Sequence, residues 1–136
     1  MKRLAVAATA LAALAACEAP TSPNYFGVGN PIATSRAAGF FQQVCVNNGA
    51  DLSAARQTLS GLPVILNSND DIYYSTENLI SFKITPVSQF ESVCSMVWDP
   101  IESNAQSIAV LRQVDPTAVP RDNQDGTITA FHYGAP

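Results

Sequence analysis

The order of apolar and polar residues between positions 33 and 63 has the periodicity of two helices. A first helix is predicted from about Ala33 to Asn47, with Thr34 or Ser35 as its cap. Its inner stripe recurs every three or four residues and comprises Ala37, Phe40, Phe41, Val44, Cys45 and Asn48. A shorter second helix is predicted after Asp51 as N-cap, with an inner side of Leu52, Ala55, Leu59 and Leu62.

After Pro63 the pattern changes to the two-residue alternation that is typical of strands. Residues 71–76 and 79–85 form a predicted hairpin that turns at Glu77-Asn78, which places Tyr73 opposite Phe82. The residues predicted on its inner face are Tyr73, Ile80, Phe82 and Ile84. An extended segment is predicted to start at residues 64–66, and a last strand is predicted over 127–133. A further strand is predicted over 90–98. The residues on one side of it are Phe90, Ser92, Cys94, Met96 and Trp98.

A third helix is predicted from Asp99 to about Gln113, because Asp99, Pro100 and Glu102 stand at the positions of a capping box. The stretch from there to Gly126 is rich in Pro, Asp and Asn and is predicted as loop. The fold class is therefore α+β: two helices, a three-stranded antiparallel meander, a helix and a C-terminal strand, with the helices packed on one sheet face.

The start of the chain has a different pattern, in which Lys2 and Arg3 precede an uncharged apolar run that ends at Cys17. A basic region followed by a short apolar run is typical of a secretory signal peptide, which we assign to residues 1–16. The junction Leu14-Ala15-Ala16-Cys17 resembles the lipobox of bacterial lipoproteins, whose signal peptidase cleaves before a lipid-modified cysteine. The resemblance implies that Cys17 carries acyl chains such as palmitate and anchors the protein. The alternative is ordinary cleavage near Ala16, which would release a soluble periplasmic or secreted protein.

Behind Cys17, the segment to Pro31 is rich in Pro, Gly, Thr, Ser and Asn, and residues 17–31 are interpreted as a lipidated cysteine followed by a flexible tether. Residues 32–136 have the length of a single domain. With Cys17 lipidated, Cys45 and Cys94 remain as an even pair in an exported chain, so we predict a disulfide between them.

The charge after residue 16 is strongly negative, with five basic residues against eleven acidic ones and a formal charge of −6. Nucleic-acid binding rests on clustered Lys and Arg, so a nucleic-acid partner is disfavoured. Anionic lipid headgroups are disfavoured for the same reason.

Catalytic, cofactor and metal motifs are not found in the sequence: it contains no GxSxG, P-loop, GxGxxG, HExxH or CxxC. His132 is interpreted as an edge-strand imidazole rather than a catalytic group, and Asp70-Asp71 as a solvated turn. Residues 122–126 are similar to a calcium loop, but Arg121 occupies the first ligand position and no glutamate stands at the twelfth. We therefore expect no catalytic residue, cofactor or metal.

These patterns favour a non-enzymatic lipoprotein of the bacterial cell envelope, lipid-anchored at the outer membrane and facing the periplasm. Its expected role is to bind another envelope protein or to act as an assembly or structural accessory. The order of elements behind a lipid anchor is similar to that of small outer-membrane lipoproteins that assist β-barrel assembly, although no motif of theirs is matched. Tyr74 and Tyr133 are the candidate partner contacts, because aromatic residues are enriched at interfaces.

The rival hypothesis is a surface-displayed module that binds a small molecule or glycan, or an enzyme inhibitor; a hydrolase with an unrecognised site is a weaker third. A deep apolar pocket with converging polar groups would favour the ligand hypothesis. An exposed aromatic surface or an open strand edge would favour a protein partner.

Overall fold

The computed structural model describes residues 27–49, 51–88 and 91–134. The described residues form three helices, α1 (Thr34–Phe41), α2 (Leu52–Ser60) and α3 (Asn104–Val114), and α1 continues into a π-helical turn, Gln42–Val46. Their strands are β1 (Val64–Asn67), β2 (Ile72–Ser75), β3 (Ile80–Ser88), β4 (Glu91–Trp98), β5 (Val119–Asp122) and β6 (Ile128–Gly134). All six strands form one antiparallel sheet in the order β1-β2-β3-β4-β6-β5.

The α+β class is confirmed, but the sheet has two more paired strands than the sequence predicts. The extended segment that starts at residue 64 is β1, which pairs with β2. The stretch predicted as loop before Gly126 contains β5, which pairs with β6 and places Arg121 opposite Thr129. Because the four residues of β5 show no apolar alternation, their strand conformation comes from pairing with β6 rather than from a local pattern.

The core lies between the helices and the even-numbered side chains of the central strands. Tyr73 lies opposite Phe82, as predicted, and Phe82 in turn lies opposite Met96. The buried core residues of the sheet are Ile80, Phe82, Ile84, Cys94, Met96, Trp98, Ile128 and Ala130. The helices and the π-helical turn contribute Ala37, Ala38, Phe41, Val44, Cys45, Ala55, Leu59 and Leu111. The helices therefore cover one face of the sheet, as the sequence predicts.

The first two helices agree with their predicted positions, with a difference in the caps. Asp51 caps α2, and its Oδ1 accepts from the N–H of Ala54 at 2.9 Å. The N-cap of α1 is Ala33, whose side chain makes no capping bond, so the predicted cap at Thr34 or Ser35 is wrong. The π-helical turn, in which the N–H of Asn47 donates to the carbonyl of Gln42, was not expected from the apolar spacing.

The predicted capping box at residues 99–102 is also wrong. The cap of α3 is Ser103, whose side chain accepts from the N–H of Gln106 at 3.3 Å. The carboxylate of Glu102 instead accepts from the N–H and the Oγ1 of Thr34, each at 3.1 Å. An anion is favourable at a helix N-terminus, so Glu102 serves the first turn of α1 from a distant part of the chain.

The described end of the predicted tether, residues 27–31, lies against the end of the sheet. The N–H of Val28 donates to the carbonyl of Ser75 at 2.8 Å, and the carbonyl of Asn30 accepts from Leu79 at 2.9 Å. A Cβ at Gly29, whose φ is +123°, would collide with the carbonyl of Glu77. These residues therefore form part of the folded domain, whereas the predicted signal peptide, Cys17 and residues 18–26 lie outside the described residues.

Cys45 and Cys94 form a disulfide, as predicted, with Cα atoms 5.4 Å apart. The bond joins the π-helical turn to the central strand β4, and both cysteines are buried. It therefore ties the helical layer directly to the middle of the sheet.

We expect the double variant Cys45→Ala/Cys94→Ala to lose about 2–4 kcal/mol of unfolding free energy, because the bond restricts the unfolded chain. Urea denaturation of both proteins without reductant measures this difference. Addition of reductant under unfolding conditions should bring the wild type close to the variant. Equal stability of the two oxidised proteins would contradict the assignment of a stabilising bond.

The indole of Trp98 is fully buried and donates from Nε1 to the Oγ1 of Thr34 at 3.2 Å. That hydroxyl in turn donates to Glu102. This chain of bonds connects the end of β4, the start of α1 and the segment before α3.

Thr34→Val should therefore destabilise the fold by about 1–3 kcal/mol, because it removes the hydroxyl that bonds the buried indole N–H. Thr85→Val is the matched control, since Thr85 is exposed on β3. Denaturant midpoints of the two variants provide the comparison. A Thr34→Val protein as stable as the control would show that the bond to Trp98 contributes little.

Candidate functional site

The face of the sheet opposite the helices is formed by the odd-numbered residues of β3, β4 and β6. Lys83, Ser95 and Phe131 are cross-strand neighbours in one row of this face. The adjacent rows are Ser81, Val97 and Thr129 on one side and Thr85, Val93 and Tyr133 on the other. No described helix packs on these rows, and we call this surface the open sheet face.

The open sheet face is buried in one row and exposed at its margins. The buried row is Ser81, Val97 and Thr129, whose side chains are almost completely inaccessible. The large apolar side chains at its margins are exposed: Ile65 by 63 %, Val87 by 59 %, Val119 by 48 % and Tyr133 by 65 %. Val87 and Tyr133 line one depression on this face, and neighbouring exposed apolar side chains are typical of interaction surfaces.

A groove of about 320 Å³ lies on this face. It is lined by Lys83, Thr85, Val87, Val93, Ser95, Arg121, Thr129 and Phe131. A second depression of about 390 Å³ shares Val87 and Val93 with it and extends past Glu91 to Tyr133. We call the first of these the sheet-face groove; it is open to solvent along the sheet rather than enclosed.

Two cations and one aromatic ring define the chemistry of the sheet-face groove. Lys83 comes from β3, and Arg121 comes from the edge strand β5. The guanidinium carbon of Arg121 lies 5.2 Å from the centroid of the Phe131 ring, and its Nε donates to Asn123 Oδ1 at 3.2 Å. None of the described residues that line the groove is acidic.

The two tyrosines selected from the sequence lie on the open sheet face, but in different surroundings. Tyr133 is exposed and stacks with Phe131, the ring centroids being 6.3 Å apart. Tyr74 is half-buried on β2, and its hydroxyl donates to Asp70 Oδ2 at 3.1 Å. Tyr133 therefore adjoins the groove, whereas the hydroxyl of Tyr74 is used within the β1–β2 turn.

The acidic residues near the turns have local partners. Asp70 Oδ1 accepts from the N–H of Ile72, and Asp71 pairs with Arg56 at 3.7 Å on the surface.

Two carboxyl groups elsewhere have shifted pKa values. Bonds from the N–H of Gln124 and the side chain of Asn104 lower the pKa of Asp122. Burial raises the pKa of Asp99, and the negative charge of Asp125 raises it further.

In the described part of the chain, no three His, Cys, Asp or Glu side chains are grouped in a way that could hold a metal ion. The loop at residues 122–126 instead closes the β5–β6 hairpin. Asn123 there donates to Thr127 and Thr129, so its amide is used in the turn.

His132 lies on the helix side of the sheet, away from the sheet-face groove. It is the cross-strand neighbour of Cys94, and its ring meets Phe41 edge-on with centroids 6.4 Å apart. Its strand β6 is an inner strand, so the edge-strand prediction is wrong for β6 as a whole. The pairing of β5 with β6 ends at Phe131, however. At His132 the only strand paired with β6 is therefore β4.

A further gap lies beneath Phe40 and Leu62, between the helices and the sheet. Its volume is only about 10 Å³, which is close to the size of one water molecule. This gap offers no room for a ligand.

Lys83 and Arg121 were not among the site residues predicted from the sequence. Alternation within β3 and β6 would have placed Lys83 and Phe131 away from the core. Arg121 gave no such signal, because its position depends on β5, which was predicted as loop.

Within the ranges that the structure describes, no helix has the length and apolar character needed to cross a membrane. Comparisons of the chain with protein-family models, curated proteins and solved structures found no match.

Proposed function

We propose that this protein is a non-enzymatic lipoprotein of the bacterial cell envelope that binds another envelope protein through its open sheet face. Cys17 would hold it at the outer membrane, facing the periplasm. The observation that carries the proposal is the exposure of Tyr133, Val87 and Val119 around a groove on a sheet face that no described helix covers. An assembly or structural accessory needs such a surface and no catalytic group.

The shape of the groove supports a protein partner over a small molecule. Binding sites for small molecules enclose most of the ligand, whereas the sheet-face groove is open along its length. The adjoining depression extends the available surface past Val93 to Tyr133. A second protein can cover such a broad shallow surface, and its apolar side chains can pack against these exposed residues.

One observation favours the rival hypothesis of a small-molecule or glycan-binding module. Lys83, Arg121 and Phe131 place two cations and a ring around a single groove. These groups could orient an anionic ligand, so the groove residues are the place to test both hypotheses.

The lipid anchor predicts the location of the protein. Cys17→Ser should move it from the membrane fraction to the soluble fraction, because acylation needs the cysteine sulfur and two or more acyl chains hold a protein firmly on a membrane. Fractionation of cells expressing each form, with and without detergent, measures the change. Cys45→Ser is the control, since it leaves Cys17 intact. An unchanged, detergent-dependent distribution of Cys17→Ser would contradict the anchor.

The open sheet face predicts where a partner makes contact. A photoreactive residue at Tyr133, introduced into the full chain in living cells, should give a crosslink to a second protein of defined mass. The same residue at Gln113, which is exposed on α3 in the helical layer, is the matched control and should not give this product. The absence of a product at Tyr133, or the same product at Gln113, would reject partner binding through this face.

A further inference from the structure

We infer that the sheet-face groove binds an extended acidic segment of the partner protein, one that alternates carboxylates with aliphatic side chains. This inference rests on the proposed function, because it names the chemistry of the partner at the same surface. It follows from the charge, the shape and the lining of the groove.

The charge of the groove is opposite to that of the chain around it. After residue 16 the chain has five basic residues against eleven acidic ones. Two of the five, Lys83 and Arg121, line the sheet-face groove, and no acidic residue is among the described residues that line it. An anionic segment is therefore attracted to this groove, while the rest of the chain after residue 16, with three basic residues against eleven acidic ones, is net negative.

The groove extends across several strands of the sheet. Lys83 and Arg121 project from β3 and β5, which are three strand spacings apart, or about 14 Å across the sheet. Between them lie the small side chains of Ser95 and Thr129 and the ring of Phe131. An extended chain fits between the two cations, whereas a helix of about 10–12 Å diameter would leave little room for their side chains.

The lining adds an apolar requirement to the charge. Val87, Val93 and Phe131 give the groove aliphatic and aromatic surface. Two of its three hydroxyls are engaged within the sheet: Ser95 Oγ donates to the carbonyl of Lys83, and Thr129 Oγ1 donates to Asn123. The groove therefore offers a ligand its two cations, the hydroxyl of Thr85 and its apolar surface, which suits alternating acidic and aliphatic residues.

The test is an NMR titration of the purified, isotope-labelled full chain in detergent. The probe is a ten-residue peptide of alternating Glu and Val, compared with the Gln/Val peptide and with free glutamate at the same carboxylate concentration. We expect the Glu/Val peptide to shift the amide signals of Ser95, Thr129 and Phe131, and the shifts to weaken as salt is raised. The other two probes should bind about tenfold more weakly or not at all.

Charge-reversal variants separate local charge from total charge. Lys83→Glu/Arg121→Glu should weaken binding of the Glu/Val peptide by about tenfold or more. Arg36→Glu/Arg112→Glu changes the net charge equally, but these two exposed arginines lie on α1 and α3. This control should bind the peptide with an affinity within about twofold of that of the wild type. The amide spectra also show whether each variant keeps the fold.

Each contrary result has a defined meaning. The inference would be overturned if the Gln/Val peptide bound as tightly as the Glu/Val peptide. It would also be overturned if both double variants weakened binding of the Glu/Val peptide equally, or if the amide signals of the groove residues did not shift. Equal binding of free glutamate would show that the groove takes single carboxylates and not an extended segment. Any of these results together with a crosslink from Tyr133 would leave the proposed function in place, while loss of that crosslink would remove the proposed function itself.

Discussion

The disulfide between Cys45 and Cys94 is the constraint on which the arrangement of this domain depends, because it decides which face of the central strand lies under the helices. Side chains alternate along a strand, so joining Cys94 to the helical layer also directs Met96 and Trp98 into the core. The same constraint turns Val93, Ser95 and Val97 toward the opposite face. A shift of β4 by one residue would exchange the two sets and expose the core, so the bond and the apolar pattern specify the same register.

The unequal use of the two faces follows from this arrangement. The three helices of the described chain are short, and all of their buried side chains pack on one side of the sheet. On the other side no described helix packs, the row of Ser81, Val97 and Thr129 is buried, and the margins expose Val87, Val119 and Tyr133. The segment around Val28 and Asn30 closes the end of the sheet, and the exposed margins are the surface that the proposed partner would use.

Local patterns were sufficient to predict elements whose stability is local, and they failed where distant parts of the chain meet. The α2 cap at Asp51, the Tyr73–Phe82 register and the inner side of β4 follow from neighbouring residues and were predicted.

Glu102 has the spacing of a capping box, but its carboxylate is bound by Thr34, 68 positions away in the chain. Likewise, β5 is a strand because β6 lies beside it. The exposed Tyr133 was predicted as a contact from its aromatic residue type and its place in the last strand. The basic groove was missed because Lys83 and Arg121 come together only through the sheet order.

The two edges of the sheet differ in a way that bears on how a partner binds. At one edge β5 contains Pro120, which has no N–H, and the charged Arg121 and Asp122, features that discourage pairing with another strand. At the other edge β1 is uncharged and exposes Ile65 and Leu66, so it is the edge at which a further strand could add. The basic groove lies on the β5 side of β3, however, away from β1. A partner selected by Lys83 and Arg121 must therefore lie across the open sheet face, and backbone pairing at β1 would add affinity without supplying that selectivity.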